Sequence, residues 1–259
     1  MEPPRKVDVL GVRISVIDQA RAREILFDAV RHGRRGYVAV TGVHGVMEAQ
    51  EDEQFRAILN NALLTTPDGM PMVWMGKLQG ENSIARVYGP DLMLNLCQQS
   101  RAENFSHFFY GGAPGVADEL AGKLRERFPG LKIAGTFPPP FRPLKQDELA
   151  NLQQRVRAVR PDFFWVGLST PKQERFMAAH MELLPEVKIM VGVGAAFDLL
   201  TGRVRQAPHW MQRSGLEWLY RSTQEPRRLT RRYLINNPRF ALRATAQLAK
   251  QLLQSRSVF

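Results

Sequence analysis

Asp68 lies in Thr66-Pro67-Asp68-Gly69, directly after a short β-prone run at 63–66. A carboxylate held there can take a proton from an attacking hydroxyl. Asp-Gly is also a frequent turn pair, so the local sequence supports both a turn former and a general base. Asp198 follows another apolar run and reads as a structural residue or helix cap before it reads as a base. Gly111-Gly112-Ala113-Pro114-Gly115 lets backbone approach a ligand and opens a helix, whose free N–H groups favour phosphate. The run is neither G-x-G-x-x-G nor a phosphate loop ending in Lys-Ser/Thr, so a tight turn and a nucleotide site both stay open. Lys172 and Gln173 follow Pro171 in a first helical turn. Gln173 can bond a sugar or uracil group there, or simply face solvent.

Other chemistries find little support. The five histidines are scattered without zinc-ligand spacing, and Cys97 sits among apolar neighbours in a helical stretch. G-x-S-x-G and Asp-x-Asp are both absent. Without a metal-binding Asp-x-Asp, a departing diphosphate would need cationic side chains or helix N-termini. Arg221, Arg227, Arg228, Arg231 and Arg232 supply cations, with Arg228–Arg231 and Arg228–Arg232 at spacings that share a helix face. Like charges so placed repel, and an anionic partner relieves the cost. Trp210, Trp218 and Tyr220 lie nearby and suit either packing or a membrane interface.

The elements that must position these groups alternate. Short apolar runs at 37–41, 63–66, 105–110, 131–135, 163–167 and 187–193 read as strands. Helical patterns lie at 17–32, 44–60, 91–101, 114–128, 146–160 and 171–183, the first with Asp18 as its cap. Nearly continuous apolar strands between amphipathic helices predict an α/β fold, a Rossmann-like and mostly parallel sheet covered by helices. In such sheets ligands bind beyond the carboxyl ends of the strands. The polar or glycine-rich clusters at 41–44, 66–69, 111–115, 167–173 and 192–195 would occupy those ends, with Gly192 and Gly194 in the last. After Gly202 the chain becomes basic and helical, with patterns at 216–224, 227–234 and 239–254 and Pro226 as a break. Leu242, Ala246, Ala249 and Leu253 share one face of the last pattern.

This divides the 259 residues into an α/β catalytic body, 1–202, and a basic helical C-terminal appendage, 203–259. Two closely packed lobes meeting near 100–110 are compatible with the order. From Arg203 onward twelve basic residues stand against two acids, whereas the preceding 202 residues carry a surplus of only one. Charge so placed points to an anionic partner: phosphates, an anionic membrane or nucleic acid. The single cysteine suits a reducing compartment, the N-terminal residues do not read as a signal peptide, and no apolar run spans a bilayer. A nucleic-acid-binding protein and a nicotinamide-dependent oxidoreductase are the competing classes. The first lacks a recognition module and the second its fingerprint.

Five stretches carry a resemblance: TPDGMPMVW (66–74), RVYGPDLM (86–93), FYGGAPGVADELAGKLRERFPGLKIAG (109–135), VGLSTPKQE (166–174) and the segment 191–238. Together and in order they resemble the WecG/TagA/CpsF glycosyltransferases of bacterial surface-polysaccharide synthesis. The resemblance implies inverting transfer of a sugar, such as an N-acetylhexosamine, from a nucleotide diphosphate donor to a polyprenyl-diphosphate-linked saccharide. It implies no metal and no cofactor beyond the donor itself, a UDP-sugar. It places the general base on Asp68, an active-site threonine on Thr41, a groove arginine on Arg86 and a glutamine on Gln173. Arg221, Arg228 and Arg231 match the arginines of a C-terminal segment that closes over the site and meets diphosphate and membrane. A cytoplasmic enzyme on the inner face of the membrane follows, with a homo-oligomer among the expectations. Where well-studied members have asparagine, this chain has Val43, and His44 beside it is a candidate to take over that polar contact.

Overall fold

The computed structural model describes residues 2–256, with the side chains of residues 228, 255 and 256 outside the description. An antiparallel hairpin, β1 (Lys6–Val9) and β2 (Val12–Ser15), leads into α1 (Gln19–Arg31). The capping of α1 is as its sequence predicts, since the Asp18 carboxylate accepts from the Arg21 amide at 2.7 Å, an interaction worth about 1 kcal/mol. Then come β3 (Gly36–Thr41), α2 (Val43–Glu51), α3 (Glu53–Asn61), β4 (Leu64–Pro67), α4 (Met70–Leu78) and α5 (Gly89–Glu103). The second half adds β5 (Ser106–Gly111), α6 (Val116–Arg127), β6 (Lys132–Phe137), α7 (Gln146–Val159), β7 (Phe163–Gly167), α8 (Lys172–His180), β8 (Ile189–Gly192) and α9 (Ala196–Thr201).

Six of these strands form one parallel sheet in the order β4-β3-β8-β7-β5-β6. The segments before and after 100–110 therefore contribute strands to the same sheet. Alternation explains the apolar strands. Tyr37, Ala39, Phe108, Tyr110, Phe164 and Val166 join the core on one face. Val38, Val40, Phe109, Phe163 and Trp165 join the core on the other. Helices α1, α5, α6 and α9 cover the second face, and α2, α3, α4, α7 and α8 cover the first. The inner strands are covered on both faces and their residues gain from burial, about 1.5–3 kcal/mol for a large apolar side chain, whereas the edge strand β6 is only half-buried.

The helix expected at 44–60 is two helices. Asp52 ends α2 and caps α3, its carboxylate accepting from the Phe55 amide at 2.9 Å. A short side chain that competes for backbone donors favours such a junction. Beyond the body come α10 (His209–Arg213) and α11 (Glu217–Gln224), then a π-helical turn (Pro226–Thr230). Where two helices were expected at 227–234 and 239–254, this turn runs straight into one long helix, α12 (Arg231–Arg256), which contains Pro238. Phe240 and Ala244 of α12 are buried in the core on the α2 side of the sheet. The Leu242, Ala246, Ala249, Leu253 stripe faces outward and is exposed. Among the described residues no helix is long and apolar enough to cross a membrane.

Candidate active site

A cavity of about 1210 Å³ lies over the carboxyl ends of the parallel strands. All five of the clusters read from the sequence reach it, through Gly42 and His44, Asp68, Gly112, Gly167–Thr170 and Gly194. Its opposite wall comes from the C-terminal segment, including Gln212, Glu217, Arg221, Arg232 and Phe240. Sequence order thus sets the body beneath and the appendage above.

Asp68 follows β4 at the cavity floor. Its amide donates to the Thr41 carbonyl at 3.0 Å, which ties it to the end of β3. Gly69 beside it has φ of +91°, so the Asp-Gly turn and the cavity-facing carboxylate coexist at one position. Gly42 packs so tightly that a Cβ there would lie 2.8 Å from the Asp68 carbonyl oxygen. The carboxyl pKa is pushed up to about 6, by burial first. Arg86 and Arg221 oppose that rise, and Glu217 and Asp91 add to it. A carboxyl with this proton affinity is mostly ionised at neutral pH and still accepts a proton far more readily than an ordinary aspartate, which suits general-base work.

Arg86 lies on the segment leading into α5 and stacks over the Tyr88 ring, 4.1 Å from its centroid. Its Nη1 donates to Gln212 Oε1 at 3.0 Å and its Nη2 to Glu217. Arg221 donates to Glu225 at 3.1 Å. The Nε groups of Arg86, Arg221 and Arg232 are all buried without a hydrogen-bond partner. Three arginines lining one cavity, each with an unpaired Nε, have the chemistry to receive phosphate oxygens.

Arg231 is exposed and lies outside the cavity lining, while its neighbour Arg232 forms part of it. The side chain of Arg228 lies outside the described residues. Thr41 is buried beneath the cavity, its hydroxyl donating to the Ala39 carbonyl at 3.3 Å. Gln173 lines the cavity but is 2% exposed, with both amide atoms engaged. Its Oε1 accepts from the Gly194 amide at 2.8 Å, and its Nε2 donates to Glu174 at 2.9 Å. Glu174 accepts also from the Thr170 hydroxyl at 2.8 Å, and burial raises its pKa. Gln173 thus fixes the turn after β8 that delivers Gly194.

The glycines divide similarly. Gly112 and Gly194 line the cavity, whereas Gly111, Gly115 and Gly192 do not. Gly111 permits close strand contact, since a Cβ there would lie 2.6 Å from the Gly167 carbonyl oxygen. Gly192 faces Met177 and Gln173, and Gly115 is the N-terminal flank of α6.

His44 does enter the cavity next to Val43. Asn236 Nδ2 donates to its Nδ1 at 3.3 Å, bridging α2 to α12. Its pKa falls to about 4, through burial first and then the charge of Arg232. The imidazole is therefore neutral near pH 7. Glu217, Gln212 and Arg232 were not singled out as site residues from sequence, although Arg232 belongs to the arginine group already noted.

Among the described residues no group of three or more His, Cys, Asp or Glu is placed to hold a metal ion. Two relatives carry the printed name N-acetylglucosaminyldiphosphoundecaprenol N-acetyl-beta-D-mannosaminyltransferase. That of Bacillus spizizenii (strain ATCC 23059 / NRRL B-14472 / W23) is 34% identical over 184 residues, 71% of this chain and 69% of the relative. That of Bacillus subtilis (strain 168) is 31% identical over 194 residues, 75% of this chain and 73% of the relative. Residues 7–254 match the glycosyl transferase WecG/TagA/CpsF family, and with this coverage the chain belongs to that family.

Proposed function

We propose that the protein transfers an N-acetylhexosamine from a UDP-sugar to a polyprenyl-diphosphate-linked saccharide, with inversion, in the synthesis of a cell-envelope polysaccharide. The observation that carries this reading is the gathering of one carboxylate, Asp68, and three arginines with unpaired Nε groups, Arg86, Arg221 and Arg232, around a single cavity. Asp68 takes the proton of an acceptor hydroxyl, whose oxygen attacks the donor's anomeric carbon from the face opposite the diphosphate. The bond from that carbon to the diphosphate breaks, and the nucleoside diphosphate leaves with the electron pair. Guanidinium groups offset the charge on the leaving group in place of a metal ion, the type of stabilisation that usually contributes most to such a step. The names of the relatives support the choice of acceptor and sugar.

The acceptor's lipid implies work at a membrane surface. Leu234, Leu242, Leu252, Leu253 and Trp210 are exposed on the C-terminal segment, alongside exposed Arg227, Arg231, Arg239 and Arg243. Apolar and basic side chains together favour the inner, anionic face of a cytoplasmic membrane. A nucleic-acid backbone would also attract these arginines. The inward position of Arg221 and Arg232 favours sugar transfer.

Purified protein, a panel of UDP-sugars and a short-chain lipid-diphosphate saccharide test the proposal. Acceptor-dependent release of UDP with a new glycosidic product of inverted configuration is expected. UDP release without acceptor, or no product with any donor, would reject it.

A further inference from the structure

Arginine and carboxylate groups in a shared cavity pair readily, and the bidentate fork is among the strongest arrangements open to them. Arg86 lies close enough to Asp68 to lower its proton affinity. Yet among the described residues no ion pair joins them. Both terminal nitrogens of Arg86 instead turn to the C-terminal segment, one to Gln212 at 3.0 Å and one to Glu217. Gln212 is fixed in turn, donating to the Ala207 carbonyl at 2.7 Å. Both members of the Arg86–Glu217 pair are largely shielded, with side chains 14% and 18% exposed, so screening by solvent is weak.

We propose that Glu217 is a positioning residue for the base: with Gln212 it draws Arg86 off Asp68, so the carboxylate meets a hydroxyl unencumbered only while the C-terminal segment is docked. The inference rests on Asp68 acting as the base. It adds a second task for the segment, beyond supplying cations for phosphate, and it assigns that task to an acid.

Several charged groups face Asp68. Arg86 comes from the segment before α5, Asp91 from α5, and Glu217 and Arg221 from α11. The Tyr88 hydroxyl adjoins the same cluster, and His209 acts on Asp91. Removing the charge of Glu217 withdraws one repulsive neighbour from Asp68 and releases Arg86 towards it. Both changes favour the carboxylate over the acid. The base becomes weaker and is masked by its new partner.

The full chain is assayed with a UDP-N-acetylhexosamine and a short-chain lipid-diphosphate saccharide, as wild type and as Glu217→Gln, Glu217→Asp, Gln212→Met and Asp68→Asn. In Glu217→Gln the acid limb of kcat/KM moves down by about one pH unit, and plateau kcat falls by about tenfold. Glu217→Asp restores the limb and most of the rate. Gln212→Met moves the limb the same way by less, and decides the matter should Glu217→Gln not fold. A lower rate at an unmoved limb in these variants overturns the inference, because a purely structural role predicts that result. Turnover retained in Asp68→Asn would instead remove the base itself. A silent Asp68→Asn with an unmoved Glu217→Gln limb removes only the role of Glu217.

Discussion

The amide of Asp68 is bonded at 3.0 Å to the carbonyl of Thr41, so the candidate base hangs from the neighbouring strand rather than from a free loop. Thr41 and Pro67 are register partners at the ends of β3 and β4, which extends the ladder by one bond into the site. Gly42 completes the mount. A Cβ there would meet the Asp68 carbonyl oxygen at 2.8 Å and its Oδ2 at 4.0 Å. Gly42→Ala is expected to shift Asp68 and lower kcat by about 100-fold, since displacements near 1 Å cost that much. Steady-state kinetics beside circular dichroism would check it, with the fold retained.

Asp68→Asn is expected to abolish nearly all turnover while nucleotide binding, read by calorimetry, persists. Stability should move the other way. The folded pKa is about 6 against an ordinary 3.8, so the folded protein binds the proton more tightly than the unfolded chain does. Stability from this group therefore declines as pH rises from about 4 to about 6, and stays lower above that. The variant should be more stable than wild type at pH 8, by up to about 3 kcal/mol, and should nearly match it at pH 4. Equal melting at both pH values would contradict the burial of the charge.

His44 has the opposite sign. Its folded pKa is about 4 against an ordinary 6.5, so its contribution is present above 6.5 and lost as pH falls through 4. Protonation would set a positive imidazole against Arg232 and end its acceptance from Asn236. Relative to wild type, His44→Gln should lose less stability on acidification over that window, by up to about 3 kcal/mol. Melting curves at closely spaced pH values would show it.

Arg221→Ala is expected to lower kcat by roughly 100-fold or more, the usual effect of removing a donor aimed at developing charge. Its side chain is 11% exposed, and its Nε is buried and open. Truncation before Arg221 should add loss of sedimentation with anionic vesicles, because the exposed leucines and arginines of α12 go with it. A truncated chain that still sediments would move membrane contact to the body.

The body was legible because its signals are local. Apolar runs such as 163–167 declare strands buried on both faces, and Asp68-Gly69 ends one where a ligand groove must lie. Asp52 was harder, since it splits a continuous helical pattern through a single capping bond. The contribution of Glu217 was invisible for a different reason. Its partner Arg86 lies 131 residues away, and no periodicity connects them. Arg232 illustrates a third obstacle. The π-helical turn at Pro226–Thr230 carries more residues per turn than an α-helix, so counting by threes and fours across it loses phase. The sequence therefore identified the arginine group without resolving which members face inward.

The roof of the cavity, from Gln212 to Leu248, follows every strand of the sheet in chain order. During synthesis the sheet can fold as soon as β8 leaves the ribosome, since domains generally acquire structure from the N-terminal end. For some fifty residues of further translation the groove is then built but uncovered. A nascent chain at that stage would hold its carboxylate open to water with no arginine from the roof beside it. The groove is thus roofed only after the sheet beneath it has been made, and a ribosome that stalls before the roof is complete would release a sheet whose site is uncovered.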